Sequence, residues 1–239
     1  MKKQLMLGMT LVISGAVYAI PTITGPTGGY ELPTAGITNG TTVAIDNTVN
    51  EISPLIESRY PNTKVVYGVN NTFEIGALYQ QDIMDFMISE SDADTRDIWN
   101  VNAKFALPAG SNTTHFAIGG VYGENQLFGT HLWNVYAAAT TNVYGVKATA
   151  NIGYQKLVEG DDDGLIGGIS AEMPLTKQLD AGAELVFSDK LISSLLEGST
   201  HGNLYANYKF SDNLVGRAAF TGIGQSTATA FGIAYTFGK

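Results

Sequence analysis

Between Tyr144 and Tyr154 every second residue is apolar or aromatic: Tyr, Val, Ala, Ala, Ile and Tyr. The interleaved positions include Lys147, Thr149, Asn151 and Gln155. Sustained period-two alternation predicts a long β-strand with one apolar and one polar face. The apolar face is small in its middle and carries a tyrosine at each end. The same pattern returns along the chain and predicts about twelve strands. They fall at residues 41–48, 63–69, 72–80, 97–107, 113–122, 130–140, 143–155, 164–173, 178–187, 202–210, 213–222 and 227–237. Such lengths suit the roughly 9–11 residues that cross a bilayer at a tilt.

The connections alternate as well. Short ones ("NN", "LPAGSNT", "TN", "PLTKQ", "FSDN") are interleaved with longer ones such as "NEISPLIESRYP", "QDIMDFMISESDADTR", "KLVEGDDDG" and "SDKLISSLLEGST". Outer-membrane barrels keep this order, with tight turns in the periplasm and loops outside. A soluble sandwich has no reason to keep it. An even strand number then places both termini in the periplasm. The predicted fold is all-β: a closed, antiparallel, up-and-down transmembrane β-barrel over residues 41–239.

Outward candidates include Phe73, Ile75, Val101, Phe105, Phe116, Ile118, Val135, Phe231 and Ile233. Tyr79, Trp99, Tyr122, Trp133, Tyr144, Tyr154, Tyr235 and Phe237 recur at strand ends, as expected for aromatic girdles at two bilayer interfaces. A soluble barrel core would share the alternation without explaining these aromatics or the loop order. The opposite phase puts Lys64, Glu74, Asn102, Lys104, Lys147, Asn151, Glu172, Glu184, Lys209 and Arg217 on the lumenal face. An isolated Lys or Arg facing lipid near the midplane would cost roughly 2–4 kcal/mol, so their consistent placement checks the register. These charges either set a field across a wet pore or pair between neighbouring strands and fill a narrow lumen. Glu74 with Lys104 and Glu184 with Lys209 are the candidate pairs, since each lies on consecutive strands.

Composition narrows the picture. Residues 1–19 read as a secretory signal, with Lys2 and Lys3, a short apolar core and small residues before Ile20. Removing those two lysines takes the formal net charge from −9 to −11, which argues against nucleic acid as a partner. The chain has no cysteine, so a disulfide framework is excluded. Residues 20–40, "IPTITGPTGGYELPTAGITNG", are too rich in proline and glycine for regular structure. They form a leader that lies in the periplasm, crosses the barrel base or enters the lumen.

The outer loops are acidic, with Asp82, Asp85, Glu90, Asp92, Asp94 and Asp97 against Arg96, and Glu-Gly-Asp-Asp-Asp at 159–163. Neither run has the spacing of a calcium loop, and no metal or cofactor is expected. An acidic mouth favours cations at low salt. His115, His131 and His201 sit in no His-x-Ser pair, and Ser170 and Ser199 lack an obvious base. A lipid hydrolase needs such a pair, so no enzymatic activity is expected.

The phrases "GPTGGYELPTAG", "VVYGVNNTFEIGALYQ", "NAKFALP", "FAIGGVYG", "LDAGAELVFSD" and "LYANYKFSDNL" resemble bacterial outer-membrane barrels of the YjbH-like, exopolysaccharide-associated group. That resemblance carries no catalytic set. It implies outer-membrane lipid, the barrel-assembly machinery, and small solutes or polysaccharide as partners. "FGIAYTF" fits a C-terminal assembly signal, although Gly238 and Lys239 follow Phe237. The expected function is a porin-like outer-membrane channel for ions or small hydrophilic solutes. The alternative is a non-conducting surface or assembly barrel that binds an exported polysaccharide through its loops.

Overall fold

The computed structural model describes residues 22, 25–26, 28–29, 31–53, 56–86, 94–125, 130–158, 163–188, 199–224 and 227–238. Residues 1–19, expected to be a signal segment, and residues Glu90, Asp92 and Glu159 to Asp162 lie outside them.

Twelve strands close into one antiparallel barrel. They are β1 (Thr41–Ser53), β2 (Ile56–Asn70), β3 (Phe73–Phe86), β4 (Asp94–Leu107), β5 (Thr114–Asn125), β6 (Thr130–Val143), β7 (Val146–Leu157), β8 (Asp163–Pro174), β9 (Leu179–Ser188), β10 (Ser199–Lys209), β11 (Leu214–Ile223) and β12 (Ala228–Phe237). Each strand pairs with its neighbours in sequence, and β1 pairs with β12 from Thr41↔Phe237 to Asn50↔Ala228. Closure leaves no strand edge unpaired. One end of the barrel, the turn end, holds the tight connections and both Thr41 and Phe237. The other is the loop end.

Alternation divides the wall as the sequence implies. Ile45, Ile75, Val101, Ile118, Val135, Ile152, Ile169, Leu204 and Phe231 all stand exposed on the outer surface. Their partners one residue away turn into the barrel and are buried. In water so continuous an apolar belt would be a severe liability; against lipid tails it is the stable arrangement.

Two features differ from the pattern-based expectation. β1 to β4 run 13–15 residues, whereas β9, β11 and β12 run 10. The described residues of "NEISPLIESRYP" and of the acidic stretch after Tyr79 are therefore paired strand rather than loop. Past the bilayer a strand has no need of an apolar outer face, so the alternation fades while backbone pairing continues. Pro61 is accommodated within β2 because the β2–β3 ladder skips Tyr60 and Pro61, where the missing N–H would otherwise be needed.

The second difference concerns Tyr144. The β6–β7 turn falls at Tyr144-Gly145, between the paired Val143 and Val146, and not at Thr141-Asn142. Both central residues have positive φ, 50° and 85°, as a two-residue hairpin with right-twisted strands requires. Tyr144 is thus the tip of a turn, 103% exposed, and leaves the strand girdle in which its spacing had placed it. Glycine at 145 supplies the left-handed residue, and that outweighs the turn preference of Asn142.

Candidate functional site: the barrel lumen

The inward residues of the turn end form charge pairs between adjacent strands. Glu74 and Lys104 are cross-strand partners; their charged atoms lie 3.0 Å apart and both side chains are 0% exposed. Lys147 and Glu172 are also direct partners, with a looser 3.5 Å contact. Lys64 pairs with Asp46 at 2.5 Å. Asn207 donates to Glu172, at 3.3 Å, and accepts from Arg217 Nε at 2.9 Å. The Arg217 guanidinium lies 5.5 Å from the centre of the Tyr205 ring. A continuous polar strip thereby runs from β7 through β8 and β10 to β11.

Glu184 and Lys209 do not meet. The antiparallel register sets Asn203 opposite Glu184, which leaves Lys209 near the turn end, paired with Asp180 at 2.8 Å. Consecutive strands bring two residues together only when their distances from the shared turn match, and these distances differ.

Glu184 instead receives the chain's own N-terminal segment. The Glu31 N–H donates to its Oε2 at 2.9 Å, the Leu32 N–H to its Oε1 at 3.4 Å, and Asn203 Nδ2 donates to it as well. The Ala35 N–H donates to Thr140 Oγ1 (2.9 Å) and the Thr38 N–H to Glu74 Oε2 (2.7 Å), while Asn151 donates to the Pro33 carbonyl. Glu31 binds His201 and Asn203. These anchors come from β3, β6, β7, β9 and β10, so residues 31–38 lie inside the barrel. Leu32, Thr34, Ala35 and Thr38 are all buried there. Gly28 bridges Pro33 and Gly29 donates to the Leu32 carbonyl, closing a small hairpin inside the lumen. The segment leaves through Gly40, whose φ of +92° and close approach to the Phe237 carbonyl admit no side chain.

Proline and glycine explain why so irregular a segment tolerates burial. Its backbone N–H groups, which no sheet would satisfy, are taken by side chains of the wall, and carboxylates are strong acceptors. The sequence hid this arrangement because its partners are up to 172 residues away.

Asn102 is buried between Gly76, its β3 partner, and the inner segment at Gly25. Among the aromatics, Tyr79, Tyr122, Tyr235 and Phe237 are exposed on the outer face. Trp99 lies edge-on to Tyr122 and donates to Glu124. Trp133 packs on Tyr154, whose hydroxyl bonds Asp163. His131 stacks on Tyr122.

Pattern reading missed a set of apolar residues on the inward face. Ile98, Leu132, Ile166 and Val186 all project inward near the loop end, each beside an apolar outward neighbour. The visible signal is a break in alternation toward the loop end of four strands: Ile98-Trp99, Leu132-Trp133, Leu165-Ile166 and Leu185-Val186-Phe187.

No family model and no curated protein matches the chain. Solved structures do. KdgM porin aligns with a TM-score of 0.66 at 11% identity, covering 82% of this chain and 99% of that one. NanC porin gives 0.64 at 8%, covering 82% and 100%. An outer membrane channel from Pseudomonas putida F1 gives 0.62 at 9%, covering 86% and 97%. At these identities the likeness is one of fold, and that fold is the outer-membrane β-barrel.

Proposed function

We propose that the protein is an outer-membrane, porin-like channel passing ions or small hydrophilic solutes through a narrow polar lumen. The observation that carries this is the inner wall: a closed barrel with an apolar exterior directs paired charges and amides into its lumen. Lys64, Glu74, Asn102, Lys104, Lys147, Asn151, Glu172, Glu184, Lys209 and Arg217 are its pore-lining residues. Opposed charges around a narrow passage select solutes by transverse field as well as by width. The barrel's fold is shared with KdgM porin, one structure of which is described as a complex with disordered oligogalacturonate. A saccharide-sized hydrophilic solute suits a wall of this kind. Residues 31–38 occupy the lumen, so conduction requires that segment to shift or leave. The acidic outer loops give a weak cation preference at low salt.

The test is single-channel conductance of the refolded protein in a planar bilayer, with and without residues 20–40. Ionic steps from the full-length form support an open channel, and steps only after truncation support a gated one. Silence from both, with the barrel shown to be folded, defeats it. One observation favours a second reading: eight successive residues, 31–38, pass through the lumen with four backbone N–H groups and one carbonyl anchored to wall side chains. So anchored a segment suits a non-conducting surface or assembly barrel, with loops that bind an exported polysaccharide.

A further inference from the structure

The inner segment is held at the loop end by a cluster that contains two carboxylates. Asn203 Nδ2 donates to Glu31 Oε2 on the segment at 3.0 Å and to Glu184 Oε2 on β9 at 3.3 Å. The orientation of this amide is fixed, because its Oδ1 accepts from the Thr221 hydroxyl and from the Gly222 N–H, which can only donate. Asn203 is 1% exposed. One immobile amide therefore holds two acids side by side in a site with little water. His201 completes the cluster, with Nε2 2.9 Å from Glu31 Oε2.

Two carboxylates that share one amide nitrogen repel each other, and more strongly away from bulk water. An imidazolium beside them offsets that repulsion. A neutral imidazole keeps a hydrogen bond to Glu31 but brings no charge. Among the described residues, the titratable groups around His201 are Glu31 on the segment and Glu184 on β9. Val186 stands opposite His201 on β9, and β11 brings Thr221, Gly222 and Ile223 to this end, all uncharged. A histidine ordinarily titrates at about pH 6.5, so this charge changes near neutrality.

We propose that His201 is a proton-operated latch: its imidazolium ties Glu31 to the wall and keeps the loop end of residues 31–38 in the lumen, and its deprotonation loosens that end. With His201 protonated, one positive charge sits against two negative ones and the tie is complete. As pH rises through the imidazole's titration the positive charge goes and two adjacent carboxylates remain. The segment is thus held in mild acid and loosened in mild alkali. Thr38 stays tied to Glu74 at the turn end, so the release is local. That the lumen opens with the latch rests on the channel reading above; the latch itself does not.

The test is maleimide modification of Thr34→Cys, a near-isosteric probe at a segment residue that is 4% exposed. The full chain is held in lipid nanodiscs at about pH 5.5 and at about pH 8.5, on either side of the imidazole's titration. Each rate is compared with that of the same cysteine in a His201→Gln background, which cancels the thiol's own ionisation. Relative to that background, modification of the native latch should be about tenfold slower in mild acid, the difference between a charged and a neutral hydrogen bond. The two rates should be equal in mild alkali. Glu31→Gln removes one of the like charges without altering the wall, and the ratio taken the same way should then lose most of its pH dependence. Circular dichroism verifies that each barrel has folded. A ratio that stays flat across that pH range overturns the latch, as does a Glu31→Gln protein that keeps the full response. Single-channel conductance at the same two pH values separates the latch from the channel reading. A pH-dependent ratio with a silent bilayer supports the latch and defeats conduction, whereas ionic steps with a flat ratio do the reverse.

Discussion

The two ends of the lumen are lined by the same alternating strands yet handle burial in opposite ways. At the turn end buried charges meet opposite ones across the ladder, as with Glu74 and Lys104 or Lys147 and Glu172, while Arg217 bonds Asn207. At the loop end the inward wall is largely aliphatic, with Ile98, Leu132, Ile166 and Val186, and the Glu184 carboxylate accepts from backbone N–H groups of the inner segment and from Asn203. The inner segment spans both, tied by Thr38 to Glu74 at one end and by Glu31 and Leu32 to Glu184 at the other. The inner face of one barrel therefore changes character along its axis: cross-strand ion pairs fill the turn end, whereas aliphatic side chains and the inserted segment line the loop end.

The sharpest way to break the turn end is Lys104→Met, which strands the Glu74 carboxylate in a fully buried site. A loss of about 3–5 kcal/mol is expected, read by guanidinium unfolding in lipid. The double change Glu74→Gln with Lys104→Met should recover most of it, since it removes both charges together. The outer face provides a control common to both ends. Ile152→Arg, at the middle of β7 and 55% exposed to lipid, should cost roughly 2–4 kcal/mol in the same measurement. An effect near zero would mean that this belt does not face hydrocarbon.

Glu184→Gln weakens the tie at the loop end. It should cost about 1.5–3 kcal/mol, the usual worth of hydrogen bonds to a charged acceptor. It should also speed modification of a cysteine placed at Ala35, while Lys147→Met should not. Least affected is the Lys147–Glu172 pair, whose side chains are about a fifth exposed. Breaking it with Lys147→Met should cost less than about 1 kcal/mol after solvent screening. A cost as large as that of Lys104→Met would show the two pairs to be equally dry and would erase the contrast.

Much of this architecture was legible in the chain. Period-two alternation marked all twelve strands, because a lipid-facing wall has to be apolar at every second residue across the bilayer. The strand ends of β1 to β4 were not legible, because outside the bilayer that demand lapses and pairing leaves no periodic trace. The turn at Tyr144-Gly145 shows the same limit, since composition favoured Asn142 while the register of β6 on β7 set the position.

Strand number and the alternation along each strand were thus fixed by the chain alone. These follow from local chemistry, one residue at a time, against a fixed solvent on each side. Only the tertiary structure decided which inward charges meet, because register sets height along the barrel and moved Lys209 from Glu184 to Asp180. Closure decided the course of residues 31–38 as well. Their backbone donors find acceptors only once strands more than a hundred residues apart in the chain have been brought around them.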